Sequence, residues 1–391
     1  MRFHSCASDE ENSDDAVEEA IGEVRESAGD VDVAFVFFTE HHRDAAARIV
    51  ERIWLELDPQ CAIGCCAQGV IGDVREIEQL PGIAVLAGSL PGVRVHPFHI
   101  AGRSAWREAI EDAAELQNRL GIGKETRALI GFGDPFTTPL DPFLAALESA
   151  APGLPLIGGM TSGGRNAGMN VLVRNDETFD EGFVGISLSG PIEIQTIVSQ
   201  GCRPIGKPFI ITKSHDNVIE QLGGRPAMQA LRDVVAAMSD DEQQLLQNGL
   251  LVGRAISEYR EQFGRGDFLV RNIIGVDEES GSISLADYMR TGQTVQFHVR
   301  DAATADEDLL LLLEGQKAAA PAAGGLLFSC NGRGASLFAQ PCHDITAARR
   351  AMPNTPVAGF FAAGELGPVG QKNFIHGHTA SFALFRPRGE A

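Results

Sequence analysis

Three segments of the chain read CAIGCCAQG (residues 61–69), PLIGGMTSG (155–163) and PVAGFFAAG (356–364). Each has glycine at its fourth and ninth places and a small residue, alanine or threonine, at its seventh. The apolar residues before the fourth-place glycine are typical of a short buried strand. Because glycine permits tight backbone bends, we expect each segment to form a turn of similar shape that joins two strands.

The elements around these segments follow one order. An apolar strand pattern comes first, a helical pattern comes second, and another strand-like run follows each segment: GIAVLAGSL, GFVGISLSG and TASFALF. Three matches in the same context predict an α/β fold made of repeated βαββ-like units with mixed sheets. The first strands are expected at 31–38, 127–133 and 324–330, and the helices at 41–57, 141–150 and 344–351.

The remainder of the chain departs from the repeat. Residues 205–260 have amphipathic spacing that predicts mostly helices, whereas 268–300 read as short strands. Helical patterns begin afresh at Gly223–Pro226, which indicates a domain boundary there. The sequence therefore predicts three parts: an acidic N-terminal segment (1–30), an N-terminal domain (31–223) and a C-terminal domain (224–391).

Charge and composition restrict the function. The formal net charge is -21 over 391 residues, and a field of that sign repels nucleic acids and anionic membranes. The N-terminus lacks the apolar core of a signal peptide, and no apolar run is long enough to span a bilayer. The number of cysteines is seven, which is odd and favours reduced thiols. We expect a cytoplasmic protein with no nucleic-acid partner and no membrane insertion.

Familiar catalytic motifs are missing from the sequence. It contains no phosphate-binding loop, no dinucleotide-binding glycine motif, no nucleophile elbow and no HExxH metal motif. The cysteines lack the spacing of a metal site, although Cys330, Cys342 and the nearby histidines could be gathered by the fold. We therefore predict no cofactor and no metal. The adjacent Cys65 and Cys66 either pack as small side chains or serve a redox role.

The segment FSCNGRG places three polar or reactive residues just after a predicted strand: Cys330, Asn331 and Arg333. Strand ends in α/β folds face ligand-binding crevices, and a guanidinium can hold a carboxylate by two parallel hydrogen bonds. Flanking glycines would let a ligand approach the arginine. The alternative is that Arg333 is structural and pairs with Glu365 or with a main-chain carbonyl.

The third glycine segment is followed by an unusual set of polar residues. Glu365 comes directly after Gly364, where the other two segments have Val70 and Gly164. The same stretch continues with Asn373, His376 and His378. We expect Arg333 and Glu365 to face one crevice that suits a zwitterion, with the carboxylate on arginine and the ammonium on glutamate. The alternative is a polar surface loop.

These motifs together resemble the FIST proteins, which pair an N-terminal and a C-terminal FIST domain. The resemblance rests on CAIGCCAQGVIG, GLPLIGGMTS, GGRPAMQAL, FSCNGRG and PVAGFFAAGELGPVG followed by NFIHGHT, and it extends from about residue 32 to residue 385. It implies a sensory role in signal transduction, a small-molecule ligand such as an amino acid, and output through a separate signalling partner. Matched motif positions implicate these residues in ligand binding: Cys330, Arg333, Gly359, Gly364, Glu365, Asn373 and Thr379.

Three functions remain open from the sequence. The first is a small-molecule sensor. The second is an enzyme with Cys330 as nucleophile, His376 or His378 as base and Glu365 as the residue that orients the base. The third is an interaction scaffold without a ligand.

Overall fold

The computed structural model describes residues 1–27, 29–259, 262–264 and 266–388. Its chain forms two compact units. The first consists of Met1–Val198, Leu309–Ile375 and Thr379–Ala391, and the second of Ser199–Asp308 and His376–His378. The predicted boundary at 223/224 lies inside the second unit. The division of the sequence into an N-terminal and a C-terminal domain at 223/224 stays a prediction.

The helices are α1 (Ser13–Ser27), α2 (Ala46–Leu57), α3 (Arg103–Glu111), α4 (Ala113–Arg119), α5 (Leu140–Ala150), α6 (Ala227–Ala236), α7 (Asp240–Leu245), α8 (Ala302–Glu314) and α9 (His343–Ala351). The strands up to residue 200 are β1 (Arg2–Ser8), β2 (Val33–Thr39), β3 (Cys61–Ala67), β4 (Gly69–Gly72), β5 (Arg75–Glu78), β6 (Ile83–Ser89), β7 (Arg94–Ile100), β8 (Thr126–Gly133), β9 (Leu156–Met160), β10 (Leu172–Arg174), β11 (Glu177–Phe179), β12 (Phe183–Ser189) and β13 (Ile192–Gln200). The later strands are β14 (Cys202–His215), β15 (Val218–Leu222), β16 (Arg225–Pro226), β17 (Leu250–Ala255), β18 (Phe268–Asp277), β19 (Ser282–Leu285), β20 (Thr294–Arg300), β21 (Gly324–Cys330), β22 (Val357–Ala362), β23 (Glu365–Val369), β24 (Lys372–His376) and β25 (Thr379–Pro387).

The predicted repeat is confirmed as three related sheets. Each begins with the same four-strand order: β1-β6-β2-β3, β7-β12-β8-β9 and β13-β25-β21-β22. In each, the last two strands are joined by a crossover helix and run parallel, as such a connection requires. The second strand of each sheet is antiparallel to the third. The fold is therefore α/β with mixed sheets, as expected.

Each sheet is completed by a hairpin from a different repeat. The hairpin β10–β11 of the second repeat pairs with β3, and β23–β24 of the third repeat extends β9. The hairpin β4–β5 of the first repeat pairs with β22 of the third. The three repeats thus exchange hairpins in a closed cycle, so residues far apart in the sequence share one sheet.

The repeated glycines at the fourth place lie within strands, so the expectation that they form turns was wrong. The expectation that the segments join two strands is confirmed for residues 61–69, which lead from β3 into β4, and for 356–364, which lead from β22 to β23. Gly64, Gly158 and Gly359 sit in β3, β9 and β22. A Cβ atom on each would lie 1.9, 1.8 and 1.7 Å from the carbonyl oxygen of the facing residue in the parallel partner strand. Glycine is required here because the two backbones approach too closely for any side chain.

One aromatic cluster lies at the centre of the first unit. Phe37, Phe132 and Phe328 occupy equivalent places, each directly after the residue that faces a repeated glycine. Phe360 contacts all three rings, at centroid distances of 5.2, 5.5 and 5.4 Å. All four side chains are fully buried. The inner faces of the three sheets therefore share one hydrophobic core.

The second unit contains more strand than the sequence predicted. The strands of its sheet follow the order β14-β20-β17-β18-β19-β15-β16. β14 also pairs with β15, and this additional pairing closes the sheet into a barrel. Residues 205–260 were expected to be mostly helical, but of the described residues in this range only α6, α7 and a short 3-10 turn are helical. The helical stretch ends at Gly249, which has φ 116°. The apolar run after it forms β17, which pairs with β18 on one side and with β20 on the other. The strands expected within 268–300 are present.

The repeated glycines give a direct test of the fold. Gly64→Ala or Gly359→Ala should lower the free energy of unfolding by about 3 kcal/mol or more, because the added methyl meets rigid main chain. Chemical denaturation measures the change. Gly22→Ala is the control, since its helical position in α1 has open space around the site and should gain up to ~1 kcal/mol. Unchanged stability in both strand variants would contradict the close approach.

Candidate functional site

A buried ion pair lies directly after strand β21. The Arg333 side chain is fully buried, and its Nε and Nη2 groups donate to Asp344 Oδ2 and Oδ1 at 2.8 and 2.7 Å. Asp344 lies in the first turn of α9. The sequence analysis named Glu365 or a main-chain carbonyl as the structural partner of Arg333. That partner was wrong, because the two parallel hydrogen bonds of the guanidinium go to Asp344.

Other groups fix the Asp344 carboxylate in place. It accepts hydrogen bonds from Ser329 Oγ at 2.8 Å and contacts His343 Nδ1 at 2.9 Å. Burial acts to raise the pKa of Asp344, but the charge and hydrogen bonds of Arg333 outweigh it and hold the pKa well below its usual range. The Arg333 guanidinium also lies 5.2 Å from the ring centroid of Phe338, where a cation is favoured. The pair is ionised and rigid.

Glu365 is the second buried charged group of the site. It opens strand β23 and is fully buried. Its Oε2 accepts from the main-chain nitrogen and from Oγ1 of Thr379, at 3.1 and 2.7 Å. Burial raises the pKa of Glu365 to about 8, against the hydrogen bonds from Thr379, the nearby Cys330 thiol and the charge of Arg333. The structure thus brings together Cys330, Arg333, Glu365 and Thr379.

Two further carboxylates reach the site from the first repeat. Strand β5 carries Glu76, whose Oε1 accepts from the Ile345 main-chain nitrogen at 2.8 Å. It also carries Glu78, which accepts from the Ala335 main-chain nitrogen at 2.9 Å. Burial, reinforced by the charge of Asp344, raises the pKa of Glu76 to about 8. Sequence reasoning missed both residues, although their i, i+2 spacing places them on one face of a strand.

Three buried polar atoms in this cluster have no hydrogen-bond partner among the described residues. They are Arg333 Nη1, Glu365 Oε1 and Glu76 Oε2. Most buried polar atoms in proteins are paired, and an unpaired one costs free energy. The cluster therefore offers one cationic donor and two carboxyl oxygens for additional hydrogen bonds.

Three of the predicted site residues have structural roles that are visible in the contacts. Asn373 Nδ2 donates to Leu154 O at 2.8 Å and its Oδ1 accepts from Leu156 N at 2.9 Å. These bonds hold β24 beside the start of β9. Glycine is required at position 359 because β22 lies too close to its parallel neighbour β21 for a side chain. Gly364 has φ 143° at the entry to β23. Each of the three shapes the backbone around the cluster.

The remaining predicted residues are Asn331, His376 and His378. Asn331 is exposed; its Oδ1 accepts from Cys330 Sγ at 3.9 Å, and its main-chain nitrogen donates to Ala362 O at 2.9 Å. His376 and His378 belong to the second unit. There His378 Nε2 lies 3.1 Å from Asn272 Oδ1.

The structure also bears on the cysteines, on metal binding and on membrane-spanning helices. All seven cysteines are free thiols. Burial raises the pKa of the Cys66 thiol to about 12 and that of Cys65 well above its usual value, which favours the packing interpretation of this pair. Within the described ranges, no group of three histidine, cysteine or acidic side chains is arranged to hold a metal ion. The same part of the chain has no helix with the length and hydropathy needed to cross a bilayer.

Comparisons with known proteins give a consistent result. The model of the FIST N domain matches residues 32–225, and that of the FIST C domain matches 227–368. An uncharacterised protein of Mycobacterium tuberculosis (strain ATCC 25618 / H37Rv) is 38% identical over 95% of this chain and 96% of its own. One from Mycobacterium bovis is 37% identical over 95% of each chain. A cyanuric acid hydrolase structure aligns over 100% of both chains, but at 9% identity and a TM-score of 0.34, too distant to support a functional argument.

The Arg333–Asp344 pair predicts a large effect of one small substitution. Asp344→Asn should lower the free energy of unfolding by about 3–5 kcal/mol, because it leaves the buried guanidinium without its counterion. Denaturant unfolding monitored by circular dichroism measures this loss. Asp73→Asn is the matched control, since its carboxylate pairs with Arg349 at 49% exposure, and such pairs contribute about 1 kcal/mol or less. Equal effects of the two substitutions would contradict the assignment.

Glu365 predicts a pH dependence of stability. The carboxyl ionises near pH 4.3 in an unfolded chain but near pH 8 in the folded protein. Between these values the folded state holds a proton that the unfolded state has released, so the free energy of unfolding falls as pH rises. Glu365→Gln removes this contribution. Its stability relative to the native protein should therefore increase between pH 5 and pH 8, by about 1 kcal/mol or more.

Chemical denaturation at the two pH values measures that increase. Glu193→Gln, at an exposed position of β13, is the control and should show the same relative stability at both. A Glu365→Gln variant whose relative stability does not change with pH would show that the carboxyl is already ionised near neutrality.

Proposed function

Because this chain belongs to the FIST family, whose domains are sensory domains of signalling proteins, we propose that it is an intracellular small-molecule sensor. Its ligand in this proposal is an amino acid or a related zwitterion. In this proposal the receiver of the signal is a separate protein. A cytoplasmic location fits the seven free thiols and remains part of the proposal.

One observation carries the proposal: the buried cluster leaves a cationic donor and an acidic oxygen without partners. Arg333 Nη1 is the donor, and Glu365 Oε1 is the oxygen. A zwitterion has the complementary groups, a carboxylate for the guanidinium and an ammonium for the glutamate. Charge-assisted hydrogen bonds of this kind are about twice as strong as neutral ones.

The ion pair with Asp344 defines what Arg333 can contribute. Its Nε and Nη2 groups are occupied by Asp344, so it offers Nη1 to a ligand and not its bidentate edge. The aspartate holds the guanidinium plane in one orientation. Arg333 therefore acts in the proposal as a fixed single donor, a narrower role than the two parallel hydrogen bonds expected from the sequence.

Glu365 couples ligand binding to ionisation. With a pKa of about 8, its carboxyl is mainly protonated at neutral pH. An ammonium group beside it favours the ionised form and lowers its pKa. A zwitterion would therefore bind with release of the proton from Glu365. Glu76, whose pKa is similarly raised, is a further carboxyl group in the same cluster.

The test is a thermal-shift screen of amino acids and related zwitterions, followed by calorimetry on any ligand found. A ligand at about a hundredfold its Kd should stabilise the native protein by about 2.7 kcal/mol. Glu365→Gln keeps an oxygen that can accept from Thr379 but loses the charge, so it should bind about 30-fold more weakly or worse. Glu193→Gln should bind as the native protein does.

The result separates the functions that the sequence left open. No response to any zwitterion would refute the amino-acid sensor and favour the scaffold. A response that survives unchanged in Glu365→Gln would place the ligand elsewhere. Consumption of the ligand during calorimetry, abolished by Cys330→Ala, would favour the enzyme.

A further inference from the structure

A second buried arginine lies near the end of strand β25. Arg386 is 6% exposed and lines a pocket of about 150 Å³. The polar residues around the pocket are Gln316, Asn354 and Thr355, and its apolar walls include Pro321 and Met352. All of these residues belong to the first unit. The pocket is separate from the Arg333 cluster, with which it shares no lining residue.

Unlike Arg333, Arg386 has no acidic partner among the residues that the structure describes. Its Nη2 group donates to Gln316 Oε1 at 3.2 Å, which is a neutral amide oxygen. Its Nε and Nη1 groups have no partner among the described residues. The residues that line the pocket include no aspartate or glutamate. Arg333 and Arg386 thus both have unsatisfied donors, but within the described ranges Arg333 has a counterion and Arg386 has none.

A buried guanidinium without a counterion is unfavourable. Arginine stays protonated in proteins, so it cannot lose its charge as a buried lysine or histidine can. Burying an unpaired charge costs several kcal/mol, and such a group adjoining a pocket is complementary to an anion. From this arrangement we propose that the Arg386 pocket binds a small carboxylate with a short apolar group.

The pocket walls and volume define the ligand class. Phosphate and sulfate spread charge over four oxygens and have no apolar part, whereas this pocket combines one guanidinium and three polar side chains with alanine, proline and methionine walls. A carboxylate needs the guanidinium at one end and apolar contact at the other. The volume equals about five water molecules at ~30 Å³ each, which fits an anion the size of propionate or butyrate.

Thermal unfolding in sodium propionate and in sodium chloride at equal ionic strength tests the proposal. The native protein should melt at a higher temperature in propionate, and the difference should saturate with concentration. Arg386→Met, which keeps an unbranched apolar stem but removes the guanidinium, should lose this response, with affinity reduced about 30-fold or more. Arg107→Met, an exposed arginine of α3, is the matched control and should respond as the native protein does.

A second measurement uses the same variant in chloride alone. Arg386→Met should melt above the native protein, because it replaces a buried unpaired cation with an apolar side chain. A lower melting temperature would mean that the protein itself satisfies the cation, and would overturn the proposal. So would a native protein that responds equally to propionate and chloride, a propionate response that persists in Arg386→Met, or a larger response to phosphate than to propionate.

Discussion

The exchange of hairpins among the three repeats is the constraint on which the rest of the first unit depends. Each repeat has four strands of its own, and its hairpin completes the sheet of another repeat. Main-chain hydrogen bonds therefore connect all three repeats, and their inner faces form one core around Phe360. The same exchange places Glu76 and Glu78 of the first repeat beside the loop and helix of the third.

The third repeat differs from the others in its buried charges. At the position of Glu365 the first two repeats have Val70 and Gly164, which carry no charge. Glu365, Arg333 and Asp344 lie together in the third repeat, while Glu76 is contributed by the exchanged hairpin. Stability alone does not require buried charges, since apolar side chains often fill such positions at no loss. The atoms of this group that have no partner among the described residues, Arg333 Nη1, Glu365 Oε1 and Glu76 Oε2, are those that the proposed ligand would use.

The sequence predicted the local elements better than their partners. The glycine pattern and the order of elements identified the repeat, because close parallel strands require glycine wherever the fold is repeated. Hydrophobic spacing does not encode which sheet a hairpin joins, so the contributions of Glu76 and Glu78 were not foreseen. Asp344 was assigned only to a helix, since nothing local marks it as the partner of Arg333. The strand Leu250–Ala255 was read as helix because its apolar run continues an amphipathic helical pattern.

In the proposed binding mode, the Glu365 carboxyl is neutral until an ammonium group binds beside it. The most direct measurement is the number of protons released on ligand binding at pH 7, obtained by calorimetry in two buffers of different ionisation enthalpy. With a pKa of about 8 before binding, the account predicts release of close to one proton per ligand, and none in Glu365→Gln. Binding without proton release in the native protein would contradict it.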